Sequence, residues 1–209
     1  MCKLEEIIKN ILTSPSANLL SKNVPWNNAR NTSYSNITWT IRKNIIAQTI
    51  CTYKYLEYTE WDPKKHKCVA IGFNPATIDV NEIDKTNEKI IDKLKEKGYG
   101  GYILLNLSPQ CSTSKKEWCD NDDEDLKYFP CFIKILKIIS KKSINVLIFW
   151  GRTVAIKDDI YNILQKIIKT ENLLMTVKEG TQTHYHPAYV PIDIIPVTDT
   201  NLKSSHYLQ

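Results

Sequence analysis

The sequence has few of the features that mark secreted, membrane-spanning or metal-centred proteins. Its six cysteines lie far apart and form no CxxC pair, so their spacing supports neither a zinc site nor an iron–sulfur ligand set. No apolar run approaches the ~18 residues of a membrane span, and the charged N-terminal stretch resembles neither a signal nor a transit peptide. Neither GxGxxG nor GxxxxGK[ST] occurs, which excludes the common glycine-rich phosphate loops. We expect a cytoplasmic protein, inside the host cell if viral, with no metal or cofactor.

Arginine is also scarce, because only Arg30, Arg42 and Arg152 contribute to the 28 basic residues and the rest are lysine. The formal net charge is +5, a sign that suits a nucleic-acid partner. The chain is rich in Ile, Asn and Lys together, as AT-rich coding produces, and this weakens that inference. Most of the lysines are expected on solvated helix faces.

The length and composition predict one domain. With 209 residues, 42% of them hydrophobic, the chain can bury one sizeable core. We therefore assign residues 1–209 to a single α/β domain. Residues 1–66 should hold an N-terminal helix over 4–12, a loop and edge strands, and residues 67–195 the core.

Four apolar runs dominate the core, and each stops near a cluster of polar, Gly and Pro residues. The runs are Cys68–Phe73, Tyr102–Leu105, Ile144–Trp150 and Leu173–Val177. Apolar residues occupy both the odd and the even positions of each run. This pattern indicates strands that are buried on both faces, which is typical of a parallel sheet covered by helices. Helical periodicity between the runs predicts a three-layer α/β/α sandwich around a mostly parallel four-stranded sheet. In particular, Pro130 is placed to open a helix that runs to about Lys142.

Three polar residues follow these runs where ligands usually bind, beyond the carboxyl ends of parallel strands. Asn74 could orient a water molecule or close an Asx turn. Asn106 offers both a donor and an acceptor, which suits an amide-like or pyrimidine edge, although it too could be a turn residue. His186 could act as a neutral donor or general acid; it could also be structural, and His184 could take its place.

The order of these motifs resembles that of the uracil-DNA glycosylase superfamily, which flips a base out of DNA and hydrolyses its N-glycosidic bond. IGFNPA (71–76) is similar to the water-activating motif, YILLNL (102–107) to the strand that ends in the base-reading Asn, and LIFWG (147–151) with HPA (186–188) to the late strand and His-Pro loop. The longer pattern from TYKY (52–55) to HP (186–187) also resembles an uncharacterised domain family of bacteria and phages.

The resemblance implies a role for each matching position. Asn74 would hold the attacking water, with Asp79 or Asp84 as a nearby carboxylate, and Asn106 would hydrogen-bond the flipped base. His186 would stabilise negative charge that develops on the base. Further base contacts would come from Phe73 or another aromatic such as Trp118 or Trp150, and from Ala76, which replaces a bulky Tyr. Contacts to DNA phosphates would come from Gly151, Arg152, Lys115 and Lys116.

The expected function is therefore that of a monomeric DNA glycosylase that acts on single- or double-stranded DNA without a metal or a membrane. Two alternatives stay open. One is a non-catalytic member of the same fold that binds nucleic acid or a protein. The other is a hydrolase or transferase that acts on free nucleotides in the same strand-end crevice.

Overall fold

A computed structural model describes residues 35–46, 49–62, 64–75, 85–108, 123–150, 158–188 and 190–198. The strands are β1 (Ser35–Ile46), β2 (Thr49–Glu60), β3 (Lys67–Gly72), β4 (Gly101–Asn106), β5 (Val146–Ile148), β6 (Leu173–Lys178) and β7 (Ile192–Pro196). The helices are α1 (Lys85–Glu96), α2 (Asp123–Ser140) and α3 (Asp158–Ile167), with a short 3-10 turn at Thr170–Asn172. The helix expected over residues 4–12 lies outside the described residues.

All seven strands form one mixed sheet in the order β1-β2-β4-β3-β5-β6-β7. The four neighbours β4, β3, β5 and β6 are parallel to one another, whereas β1, β2 and β7 pair antiparallel. From β3 the chain passes to β4 on one side and later to β5 on the other. The carboxyl end of β3 is therefore the point at which the winding reverses, where sheets of this kind bind ligands.

The mixed α/β class is confirmed, and the four predicted strands correspond to β3, β4, β5 and β6. The predicted edge strands within residues 1–66 are present as the β1–β2 hairpin, which pairs with β4 at Glu57–Glu60. The predicted sheet is too small at its other edge, where β7 pairs with β6 from Leu174 to Lys178. Both edges of the parallel strands offer unpaired backbone groups, and these antiparallel strands satisfy them.

Helices cover both faces of the sheet, because successive strand residues point to opposite sides. Cys68 and Ala70 of β3 pack with Ile90, Ile91 and Leu94 of α1 on what we call the α1 face. The neighbouring Val69 and Ile71 belong to the larger cluster on the α2–α3 face. That cluster includes Phe132, Ile135, Leu136 and Ile139 of α2 and Leu164 of α3.

Glycine marks the end of α1, as its sequence preference predicts, whereas proline does not mark the start of α2. Gly98 follows α1 with φ +86°, a left-handed conformation that favours glycine and ends a helix. Pro130, predicted to open a helix, instead lies inside α2, which begins at Asp123. Inside a helix, proline removes its own N–H and its ring crowds the carbonyl four residues before it, which is why the sequence favoured a first-turn position; in α2 the helix accommodates it.

Cys68 on β3 is fully buried, and burial raises the pKa of its thiol to about 12. Only the thiolate reacts with alkylating reagents, so the folded protein at pH 8 should leave Cys68 unlabelled by a maleimide. Denaturation should make the same residue react, and peptide mass mapping can follow it separately from the other cysteines. Rapid labelling in the folded state would show that β3 opens far more readily than its packing indicates.

Candidate functional site

The ends of the parallel strands are held side by side by backbone hydrogen bonds that continue past the strands. The Leu107 N–H donates to the Gly72 carbonyl at 3.0 Å, and the Ser108 N–H donates to the Phe73 carbonyl at 2.9 Å. The Phe149 N–H donates to the Ile71 carbonyl at 3.0 Å. The three segments that follow β3, β4 and β5 therefore start from fixed positions at one edge of the sheet.

Gly72 lies at the centre of this edge, and its missing side chain leaves room for two neighbours. A Cβ atom on Gly72 would lie 2.7 Å from Oδ1 of Asn106 and 2.8 Å from Cζ of Phe149. Asn106 pairs with Gly72 in the β3–β4 ladder and is only 3% exposed. The Asn106 amide and the Phe149 ring thus lie next to each other beside Gly72, at the end of β3 on the α1 face.

His186 completes this group. Its ring centroid lies 6.3 Å from that of Phe149, with the planes inclined at 48°. Its Nδ1 accepts a hydrogen bond from the Ala188 N–H at 3.2 Å, so a neutral ring carries its proton on Nε2 and can donate from there. Gly72, Asn106, Phe149 and His186 together form what we call the Gly72 crevice.

His184, the alternative to His186, belongs to the core. It is fully buried and stands edge-on to Trp150, with ring centroids 6.1 Å apart. It is also bridged to Val177 of β6. Since Trp150 belongs to the cluster on the α2–α3 face, the two histidines lie on opposite sides of the sheet.

The segment between the two histidines is fastened to β6. The Tyr185 N–H donates to the Thr176 carbonyl at 3.1 Å, and the Thr176 hydroxyl donates to the Tyr185 carbonyl at 2.6 Å. This pairing sets the position from which His186 reaches the crevice. Strand β6 therefore supports the site although none of its own side chains belongs to the crevice.

Asn74 and Phe73 follow Gly72 directly. Asn74 is half-buried, and its Nδ2 donates to the Pro75 carbonyl at 3.3 Å, which turns the amide against the local backbone. Phe73 is half-buried against the cluster on the α2–α3 face, away from Asn106. The aromatic ring in the crevice is that of Phe149, which the sequence pattern did not single out.

Two further polar residues that the structure buries were not evident from the sequence. Glu57 on β2 is 4% exposed and pairs with Leu104, so it lies on the same face as Asn106, with about 7–8 Å between their Cα atoms at this diagonal register. Asn87 is 6% exposed in the first turn of α1. The sequence feature that could have identified Glu57 is its position as a carboxylate within the β-branched and aromatic residues of β2.

Several predicted positions lie outside the described residues. They are Ala76, Asp79, Asp84, Lys115, Lys116, Trp118, Gly151 and Arg152. Within the described ranges, no group of three or more His, Cys, Asp or Glu residues could hold a metal ion. No helix in the same ranges is long and apolar enough to cross a membrane.

Comparison with known protein families identifies a match over most of the chain. A family model described as a protein of unknown function, DUF1643, matches residues 54–188. The matched region runs from β2 to the loop that carries His186, and so it contains every residue of the Gly72 crevice. No curated protein matches the chain.

Proposed function

The chain belongs to the DUF1643 family, a family of unknown function, and from its own residues we propose that it is a DNA glycosylase-like enzyme. It would hydrolyse the N-glycosidic bond of a flipped, modified base in DNA. The observation that carries this proposal is the cluster at the end of β3, in which the Asn106 amide and the Phe149 ring flank Gly72 and the His186 imidazole lies beside that ring, with centroids 6.3 Å apart. Central parallel strands with helices on both faces support a uracil-DNA glycosylase-like fold.

In the proposed reaction the base leaves as an anion and the sugar passes through an oxocarbenium-like cation. The Asn106 amide hydrogen-bonds the edge of the base, and the Phe149 ring offers an apolar surface for its face. The Nε2–H of His186 donates to the oxygen on which negative charge develops, and a preorganised donor of this kind lowers the barrier. A water molecule then adds to C1′ of the sugar.

Asn74 would orient that water through its amide oxygen, since its Nδ2 is directed to Pro75. An amide cannot accept the water's proton at neutral pH, so a carboxylate must take it. Glu57 is a buried carboxylate on the same face of the sheet as Asn106, and we assign it this role. Gly151, Arg152, Lys115 and Lys116 are proposed to bind the phosphates of DNA.

A cleavage panel tests the function. End-labelled duplexes and single strands that contain uracil, hypoxanthine, or plain and C5-modified pyrimidines are incubated with the protein, and alkali then converts abasic sites to breaks. We expect breaks at one or more of these bases with the wild type and none with His186→Ala. DNA binding that weakens with salt, without breaks on any substrate, would favour the non-catalytic alternative. Turnover of free nucleotides, without breaks in DNA, would favour the hydrolase or transferase that acts on free nucleotides.

The identity of residue 76 predicts the class of base. In the uracil-specific enzymes that the motif resembles, a bulky Tyr after the motif proline screens the pyrimidine C5 and excludes thymine. Ala76 lacks that bulk, and Ser112, Thr113 and Ser114 are candidates to hydrogen-bond a polar C5 substituent. We expect faster release of a C5-hydroxymethyl or glucosylated pyrimidine than of uracil in single-turnover assays.

The variant Ala76→Tyr provides the control for this preference. It should slow release of the C5-modified base more than release of uracil. If uracil is released faster by the wild type, or if the variant handles both bases as the wild type does, the preference does not reside at residue 76.

A further inference from the structure

Lys89 on α1 holds the loop that follows His186. Its Nζ donates to the Pro187 carbonyl at 2.7 Å, to the Val190 carbonyl at 3.2 Å and to the Ala188 carbonyl at 3.5 Å. An ammonium group has three N–H donors, and here they are matched by three carbonyl oxygens of one turn. Lys89 is half-buried, so this contact differs from the usual position of a lysine on a solvated helix face.

The same turn is hydrogen-bonded to the His186 ring. Ala188, whose carbonyl accepts from Lys89, uses its own N–H to donate to Nδ1 of His186 at 3.2 Å. The ends of the loop are anchored separately, since Tyr185 pairs with Thr176 and the Glu179 N–H donates to the Pro191 carbonyl at 3.1 Å. Between these anchors, the Lys89 ammonium binds the carbonyls of Pro187, Ala188 and Val190.

We propose that Lys89 is a positioning residue for His186. By gathering the three carbonyls, it orients the Ala188 N–H toward Nδ1, which keeps the neutral imidazole in the tautomer with its proton on Nε2. Lys89 thereby connects α1 to the loop that carries the donor of the Gly72 crevice, and its contact with Pro187 spans 98 residues of sequence. The catalytic consequence rests on the proposed glycosylase function, whereas the effect on the imidazole does not.

The test uses full-length protein labelled with ¹⁵N-histidine, in which four imidazoles are observed. In the wild type, long-range ¹⁵N–¹H spectra should show His186 with an unprotonated Nδ1 and a protonated Nε2. The variant Lys89→Met should move the ¹⁵N shifts of His186 toward the average of the two tautomers. Lys89→Arg, which keeps a cationic donor, should restore the wild-type pattern in part.

Lys93 supplies the matched control. It lies one turn further along α1 and pairs with Glu96 at 3.0 Å, so Lys93→Met removes a lysine from the same helix without touching the loop. Its His186 resonances should match those of the wild type. If Lys89→Met does not fold, Lys89→Gln retains a shorter donor for the same measurement. Unchanged His186 shifts in a folded Lys89 variant would overturn the proposal.

Kinetics give an independent measurement on whichever base the cleavage panel identifies. Lys89→Met should lower kcat by about 10²-fold, the cost of misplacing a reacting group by roughly 1 Å, and leave KM unchanged. A wild-type kcat in this variant would overturn the positioning role. If the wild type releases no base, the glycosylase proposal fails and the ¹⁵N shifts alone decide the role of Lys89.

Discussion

Replacing His186 with alanine is expected to slow base release by about 10²–10³-fold, the usual cost of removing one preorganised donor to a developing anion. The ring is half-buried at the edge of the sheet, so the melting temperature should stay close to that of the wild type. Single-turnover cleavage and thermal unfolding of the same preparation measure the two effects. His66→Ala, which removes an exposed histidine before β3, should change neither quantity.

Asn106→Ala should reduce base release to a similar extent but should also destabilise the protein. Asn106 is only 3% exposed, so its side chain contributes to the packing around Gly72. Loss of a buried polar side chain and its partners typically costs about 1–3 kcal/mol. Activity is therefore compared per folded molecule, at a temperature well below the transition.

Asn145→Ala provides the matched control for Asn106. Asn145 is a half-buried asparagine at the opposite edge of the sheet, where its Nδ2 donates to the Tyr99 hydroxyl. Its loss should lower stability and leave base release by the folded protein unchanged. Wild-type rates in both His186→Ala and Asn106→Ala would exclude the Gly72 crevice as the site of chemistry.

Gly72→Ala is expected to disable the crevice with the addition of a single methyl group. The new Cβ would lie 2.7 Å from Oδ1 of Asn106 and 2.8 and 3.0 Å from two ring atoms of Phe149. Phe149 is 4% exposed and Asn106 is 3% exposed, so the methyl group must displace the Asn106 amide, the Phe149 ring or both. We expect a loss of about 1–3 kcal/mol in the free energy of unfolding, and a loss of base release as severe as that of Asn106→Ala.

The control for Gly72 is another glycine whose replacement strains the backbone without filling space. Gly98 has φ +86° and nothing within 4 Å of a Cβ, so Gly98→Ala should cost about 1–2 kcal/mol and keep the activity of the folded protein. Denaturant unfolding and cleavage assays on both variants separate stability from site geometry. If Gly72→Ala matches Gly98→Ala in both measurements, the contact at Asn106 has no role in the site.

The central strands were predictable because their burial leaves a direct mark on the sequence. All six residues of β4 are buried. A strand that is enclosed on both faces is apolar at successive positions, because alternate residues point to opposite faces. The positions of Gly72, Asn106 and His186 at one edge follow from that pattern and from the parallel direction of the strands. The helix α1 was predictable for a similar reason, since Ile90, Ile91 and Leu94 form one stripe.

The choice of aromatic residue was not predictable. The run from Leu147 to Trp150 is apolar at every position, so it does not reveal which residue points to which face. In the structure Phe149 lies on the α1 face with His186, and Trp150 lies on the other with His184. Likewise, Lys89 reads as one lysine among many, because its partners lie about a hundred residues further along the chain.

The strand order described above has a consequence for the newly synthesised chain. Only residues 47 and 48 separate β1 from β2 in the sequence, so this hairpin can pair soon after residue 60 has emerged. β3 meets β4 through residues such as Val69 and Ile103, but its other neighbour, β5, begins only at Val146. His186 and the loop that fixes it come later still. Most of the polypeptide must therefore be made before the ribosome has delivered every residue of the crevice.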